Sequence, residues 1–390
     1  MRTPVVLPST RLTTVTAMTP LTGLLRRTPP LLSVVVTVRD DEDRLAACLD
    51  SVLGQEHGPL EVVVVDDGST DSSADVADSY AQAHPDRVRV LRRERVGTGA
   101  ARNAGVQVAT GALLAFVDGS SVVPPGAYAA LWKQMRRSGA DVVTGSYARW
   151  EDDRLLEPAR MRHTHARRAC LLEQYPRVLG DSMAGNKMFK RSFYDVAGLA
   201  WPLGELAGDP AGDAPTTTLA YLQARLIGIV PEVVLHWRPA DDDGAGSSPE
   251  DLEALWRAKR ATLGAVEEYG SEKVSETFRG SVLAADLPRH LAEVPGCSDA
   301  WWSALQRGVV SLWGPHGSLV DAALAPEHRL VGWLVEQDRR AEAEHVATLV
   351  REHDGSLPRR VEPQGRVIDV PDLDRATVPR AAIELRPNEK

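Results

Sequence analysis

Polar and acidic residues cluster where short apolar runs end in the first half of the chain. Thr37-Val38-Arg39-Asp40 closes a run that begins at Leu32, Asp66-Asp67-Gly68 closes one from Leu60, and Asp118-Gly119-Ser120-Ser121 closes one from Leu113. Gly97-Thr98-Gly99 precedes Arg102, and Asp213 stands just before a helical run over Thr216–Leu226. Such groups suit two tasks. A guanidinium behind a glycine turn, at a helix start, can fork onto a base or a diphosphate. A carboxylate can take a proton from an attacking hydroxyl. Plain structural roles compete at each position. Asp67 before Gly68 suits a turn, while Asp71 and an isolated Asp213 suit helix caps. Arg102 alone would be a solvated helix charge, and Asp40–Asp43 reads as a solvated acidic face around a helix start. Gly97, Gly99 and Gly105 answer to backbone geometry.

The elements that must position these residues follow from the apolar pattern. Leu32–Val38, Leu60–Val65, Val88–Leu91 and Leu113–Val117 read as buried strands, short and mostly apolar throughout. Helical spacing falls between them, at Leu45, Cys48, Leu49, Val52 and Leu53 with Gly54 as a stop, over Val76–Ala83 and over Gly99–Ala109. Apolar strands alternating with helices predict a parallel sheet covered on both faces. Ligands bind beyond the carboxyl ends of such strands, so the tips at 37–40, 66–67 and 118 should face one crevice. No G-x-G-x-x-G follows the first strand, Arg102 stands where the glycine pattern after Gly97 would need its third member, and no phosphate-loop motif occurs. A dinucleotide or P-loop enzyme is disfavoured.

The 390 residues carry 45 Lys+Arg against 54 Asp+Glu, a formal charge of −9, which argues against non-specific nucleic-acid binding. An apolar share of 43% argues against wholesale disorder. Cys48, Cys170 and Cys297 are too scattered for a disulfide framework or a zinc site and fit a reducing, cytoplasmic setting. Residues 1–30, basic and proline-broken, read as a disordered segment outside the fold. No run approaches the roughly 20 apolar residues of a membrane span. Ser248-Pro249-Glu250-Asp251 is a helix start, after an acidic, glycine-rich loop at Asp241–Ser248 that reads as a mobile lid or boundary. Apolar spacing at Trp301–Trp313 and Pro326–Arg351 continues a helical subdomain over 248–355. Residues 356–390 read as an extended tail or the start of a β module, with Arg366–Val370 strand-like.

The stretch SVVVTVRDDEDRLAACLDSVLGQ, then LEVVVVDDGSTDSS, then VLRRERVGTGAARNAGVQVATGALLAFVDGSSVVPPGAY resembles the nucleotide-sugar half of family 2 glycosyltransferases. Asn186-Lys187-Met188-Phe189-Lys190-Arg191-Ser192-Phe193 and Val230–Arg238 resemble segments of the acceptor half in relatives that build or decorate wall polymers and surface glycans. The resemblance implies a GT-A fold over 31–240, an α/β architecture with a mostly parallel sheet flanked by helices. The nucleotide-sugar half would span 31–150 and the acceptor half 151–240, followed by the helical C-terminal subdomain. It implies inverting transfer of a sugar from a nucleotide-diphosphate donor, UDP-linked by analogy, to a cell-wall or surface glycan or polyol-phosphate.

By the same resemblance Thr37, Arg39, Asp67, Arg102 and Asp118 bind the nucleotide-sugar. Asp67 meets the base, Arg39 stands where an aromatic is frequent, and Asp118 is the first acid of a D-x-D element. Asp213 is the expected base, with Asp209 as its rival. Asp118 and His236 are the candidate ligands of a divalent metal, Mn²⁺ or Mg²⁺. The usual D-x-D-D reads Asp118-Gly119-Ser120-Ser121 here, with Ser120 at the position that normally ligates the metal. A hydroxyl is a poorer ligand for a hard dication than a carboxylate, so metal binding should be weak or absent. The location implied is cytoplasmic, with peripheral attachment to the inner membrane face or a protein partner left open. The lost acids also leave room for a second reading, a non-catalytic member that binds a nucleotide, glycan or protein.

Overall fold

A computed structural model describes residues 28–151, 154–156, 162–203, 210–238, 248–315 and 317–389. The expectations for 1–27, for the loop at 239–247 and for Asp209 lie outside the described residues. The first half alternates β1 (Leu32–Val38), α1 (Leu45–Leu53), β2 (Leu60–Asp66), α2 (Ser73–Ala83), β3 (Val88–Arg92), α3 (Thr98–Val108), β4 (Leu113–Asp118) and α4 (Ala127–Ser138). There follow β5 (Val142–Glu151), β6 (Arg154–Leu156), β7 (Arg167–Cys170), β8 (Lys187–Lys190), α5 (Arg191–Val196), α6 (Pro210–Gln223) and β9 (Ile227–Trp237). Among the described residues one sheet runs β3-β2-β1-β4-β8-β5-β9-β7, with β6 paired to β5. The β3-β2-β1-β4 block is parallel, β8 runs antiparallel to β4 and β5, and β9 is parallel to β5. This is the GT-A architecture.

Every residue of β1 and β2 is buried. Successive side chains of a strand point to opposite faces, so Val34 and Val36 enter one core and Val35 the other. That is why these strands read as unbroken apolar runs. Helix α3 crosses the sheet closely at Gly105, where an added Cβ would lie 2.3 Å from Val35 Cγ1 and 3.2 Å from Val65 Cγ2. Gly105→Ala should therefore destabilise the protein by about 1–3 kcal/mol through overpacking, read as a lowered midpoint in chemical denaturation. An unchanged midpoint would show that the helix can lift away freely.

The C-terminal part is helical, with α7 (Pro249–Glu268), α8 (Glu272–Thr277), α9 (Leu287–Ala292), α10 (Asp299–Trp313), α11 (Pro326–Glu336) and α12 (Arg340–Glu352). Ser248 caps α7, its Oγ accepting from Asp251 N–H while the Asp251 carboxylate accepts from Ser248. Trp256 of α7 is fully buried and lies over Gly308 of α10, where a Cβ would be 2.2 Å from the indole Nε1. The strand-like tail resolves into an antiparallel pair, β10 (Arg359–Glu362) and β11 (Gly365–Ile368), before a short helix α13 (Arg380–Ile383). One apolar cluster extends from Val35 and Phe116 under the sheet through Trp256, Leu305 and Leu330 to Leu385. Among the described residues no helix is long and apolar enough to cross a membrane.

Candidate nucleotide-sugar site

Strand register brings the tips together. Thr37 stands opposite Asp118, and Val38 opposite Asp66. Thr37 Oγ1 donates to Asp118 Oδ1 at 3.1 Å. The loops beyond β1 and β2 are stapled to each other by the acidic run. Asp40 Oδ1 accepts from Thr70 N–H at 2.7 Å, Glu42 Oε2 from Ser72 N–H at 2.8 Å, and Asp71 Oδ2 from Glu42 N–H at 3.0 Å. The solvated acidic face expected at Asp40–Asp43 is thus in part a set of loop fasteners, because backbone N–H groups at a loop need acceptors. Asp71 also takes Ser73 N–H at the start of α2, as a helix-end carboxylate should.

Asp67 is buried and bridges β2 to the loop entering α3. Its Oδ1 accepts from Val96 N–H and its Oδ2 from Gly97 N–H, each at 2.9 Å. Gly97 has φ 93°, a conformation that favours glycine. Each Asp67 oxygen keeps a lone pair for another donor. Arg39 lies apart from this buried group, on the rim, with Nε 3.6 Å from Asp40 Oδ2.

Arg102 occupies the centre. It is 3% exposed, and its guanidinium donates to Asp118 Oδ1 at 2.9 Å and to Asp213 Oδ1. It lies 4.8 Å over the Trp201 ring. Its Nε–H is buried without an acceptor. Trp201 is itself clamped by Asn103, whose carboxamide donates to Trp201 O and accepts from Trp201 N–H. Gly99 lets α3 pass beneath this segment, since a Cβ there would lie 1.9 Å from Pro202 O.

Asp213 does not precede its helix. It is the fourth residue of α6, which begins at Pro210 and contains Pro215. Proline is preorganised for a first helical position, so the helix starts six residues before Thr216. Asp213 is 4% exposed, and its Oδ2 accepts from Ala184 N–H at 2.8 Å. Burial raises its carboxyl above the ordinary value; Arg102 opposes this, Asp118 adds to it, and the Ala184 N–H opposes it. Burial works against the Arg102 charge, but Asp213 and Asp118 outweigh it and hold the guanidinium charged.

The segment carrying Ala184 is pinned from below by a buried polar network that sequence reasoning missed. Lys187 is fully buried and donates to Asp181 Oδ1 at 2.9 Å, Met183 O at 2.6 Å and Asn186 Oδ1 at 2.9 Å. Asp181 also accepts from Thr144 Oγ1 at 2.6 Å and Asn186 Nδ2, and meets His163 Nε2 at 2.9 Å. Burial alone would raise the Asp181 carboxyl, but the Lys187 ammonium and the His163 and Thr144 contacts hold it well below the usual range. Burial lowers Lys187, against the pull of Asp181. The available signal was an acid and a lysine six residues apart around Gly185-Asn186.

A divalent cation finds a poor donor set here. Asp118 is the single acid of its turn, and its Oδ1 already serves Arg102 and Thr37. Ser120 and Ser121 are buried, and Ser121 Oγ has no partner. His236 is held beside this turn by backbone bonds with Val122, at 2.8 and 3.0 Å, and its ring meets Trp150 edge-on at 6.1 Å. Among the described residues no group of three or more His, Cys, Asp or Glu is placed to hold a metal. The residues present do not fit a hard dication, which prefers several oxygen ligands.

The glycosyl transferase family 2 sequence model matches residues 33–197. EpsH of Bacillus subtilis is 29% identical over 218 residues, 54% of this chain and 61% of that protein. The poly(ribitol-phosphate) beta-glucosyltransferase of Bacillus spizizenii is 31% identical over 29% of this chain and 18% of its own length. The chain thus spans less than two thirds of these relatives. Residues 1–349 of Staphylococcus aureus TarS, solved in complex with UDP-GlcNAc, share the fold at TM-score 0.66 and 18% identity, over 87% of this chain and 97% of that one. The strand tips and the glycine turn all fall within residues 33–197, the segment of this chain that matches the glycosyl transferase family 2 model.

Proposed function

We propose that the chain is an inverting glycosyltransferase that takes a sugar from a nucleotide-diphosphate donor. Thr37, Asp67, Arg102 and Asp118 hold the donor, with Arg39 at the rim, and Asp213 is the base. One observation carries this reading: a continuous hydrogen-bonded chain runs Thr37–Asp118–Arg102–Asp213 across the tips of β1 and β4. A carboxylate suited to ribose, a cation suited to diphosphate and a buried carboxylate suited to proton removal thereby lie in contact. When donor enters, Arg102 turns its fork from Asp213 to the phosphate oxygens. Asp213 then takes the acceptor's hydroxyl proton while that oxygen bonds to the anomeric carbon. The carbon–phosphate-oxygen bond breaks on the opposite face, and the diphosphate leaves with the electron pair. UDP as the nucleotide is supported by TarS, solved with UDP-GlcNAc. A polyol-phosphate or related surface-glycan acceptor is supported by the name of the Bacillus spizizenii relative.

The test is UDP release from a panel of UDP-sugars, with and without polyol-phosphate acceptor. Release that rises with acceptor is expected. UDP binding without release from any donor would favour the non-catalytic reading, in which Asp213 serves only to hold Arg102 and the Ala184 N–H. The raised Asp213 carboxyl also sets a pH profile. The base works only when deprotonated, so kcat/KM should fall as pH drops through a value above the ordinary aspartate pKa of about 3.9. A profile flat down to that ordinary value would remove Asp213 from the role.

A further inference from the structure

We propose that the Arg102 guanidinium is the positive charge that neutralises the donor diphosphate, and that the site binds its donor without a divalent cation. The proposal rests on the donor site put forward above and specifies its chemistry. Three observations carry it. The turn after β4 offers one carboxylate, Asp118, followed by the buried serines Ser120 and Ser121. That carboxylate's Oδ1 is already bound to a cation, the Arg102 fork at 2.9 Å. Arg102 also lies over the Trp201 ring with a buried Nε–H lacking an acceptor, so its guanidinium keeps a donor beyond those given to Asp118 and Asp213.

Charge balance points the same way. A turn with acids at 120 and 121 would bring two more negative charges to the diphosphate, and a doubly charged cation would be needed to offset them. With serines at both positions the two charges are gone, and with them the ligands that would hold a dication beside the diphosphate. The guanidinium offers parallel N–H donors to phosphate oxygens in a fixed plane. Ser121 Oγ, buried without a partner, adds a neutral donor near the same turn.

Calorimetry of UDP binding to the metal-stripped full chain, in EDTA and again in Mn²⁺, tests this. The expected affinities agree within about threefold, near the limit of comparing two such titrations. The free-manganese spin-resonance signal of a Mn²⁺–UDP mixture should not fall when protein is added, whereas a fall would show a protein-bound Mn²⁺–UDP complex and overturn the metal-free site. Ser120→Asp should create a metal requirement, with UDP affinity falling at least about tenfold in EDTA and recovering in Mn²⁺. Arg102→Lys keeps the charge but loses the fork, and should weaken UDP about tenfold in either medium. Its fold is checked by thermal melting. UDP binding by the wild type only in Mn²⁺ would overturn this proposal and leave the donor-site reading standing. No UDP binding in either medium would overturn both. An Arg102→Lys protein that folds and binds UDP like the wild type would overturn the role of Arg102.

Discussion

Asp213→Asn is expected to lower kcat by about 10³-fold, inside the span of roughly 10²–10⁴ that a positioned general base contributes. The substitution is conservative in shape. An amide oxygen can still accept the Ala184 N–H that Asp213 Oδ2 accepts at 2.8 Å. What it loses is the ability to take a proton and the charge that competes for the Arg102 fork. UDP affinity should therefore not fall, and any change should be towards tighter binding, while kcat drops. Steady-state UDP release and UDP titration on one preparation measure both. A fall in kcat of less than about tenfold would put the base elsewhere, since general-base loss costs more than that; Asp209 is then the carboxylate to test.

Lys187→Met is expected to destabilise the protein by about 3–5 kcal/mol, the cost of leaving one partner of a buried ion pair uncompensated. Lys187 is 0% and Asp181 7% exposed, so neither charge reaches solvent for relief. Adding Asp181→Asn to the methionine variant should recover part of the loss, because the stranded charge goes with it. Denaturant midpoints of the two single variants and the double variant form the cycle, and additive losses would contradict the coupling. The pH dependence has a definite sign. The Asp181 carboxyl is depressed in the fold. Its stabilisation is therefore fully present above the unfolded aspartate pKa of about 3.9 and is lost as pH falls through the lower folded value. Without Lys187 the folded carboxyl rises, and the acid-side decline should begin at a higher pH. The same variant should also slow catalysis in whatever protein remains folded, since the pinned segment presents Ala184 to Asp213.

The nucleotide half was legible because its signals are local. Strands buried on both faces must be apolar throughout, so Leu32–Val38 stood out with the bounds the structure has. Their polar endings at Thr37, Asp67 and Asp118 marked the tips without any knowledge of pairing. Arg102 was legible from its place behind Gly97 and Gly99 and from the family resemblance. The start of α6 was not, because Pro215 reads as a stop, whereas the helix begins at Pro210 and carries Pro215 in its interior. The Asp181–Lys187 pair was hidden for another reason. A charged residue in a loop looks solvated until distant elements close over it, and Thr144 and His163 come from elsewhere in the chain. Strand β7 escaped as well. Arg167-Arg168 gives it no apolar run, and it survives as an edge strand with its outer side exposed. Arg39 pairs with adjacent Asp40 at the rim, a local contact that a run of alternating charges does not distinguish from an inward-facing one.

If the tips of β1, β2 and β4 wall one pocket for a nucleotide diphosphate with Arg102 at its centre, a crystal of the protein soaked with UDP should hold uracil beside Asp67, ribose at Asp118, and the diphosphate on Arg102 with its contact to Asp213 broken. UDP bound at another surface, or the Arg102–Asp213 pair intact with UDP in place, would contradict it.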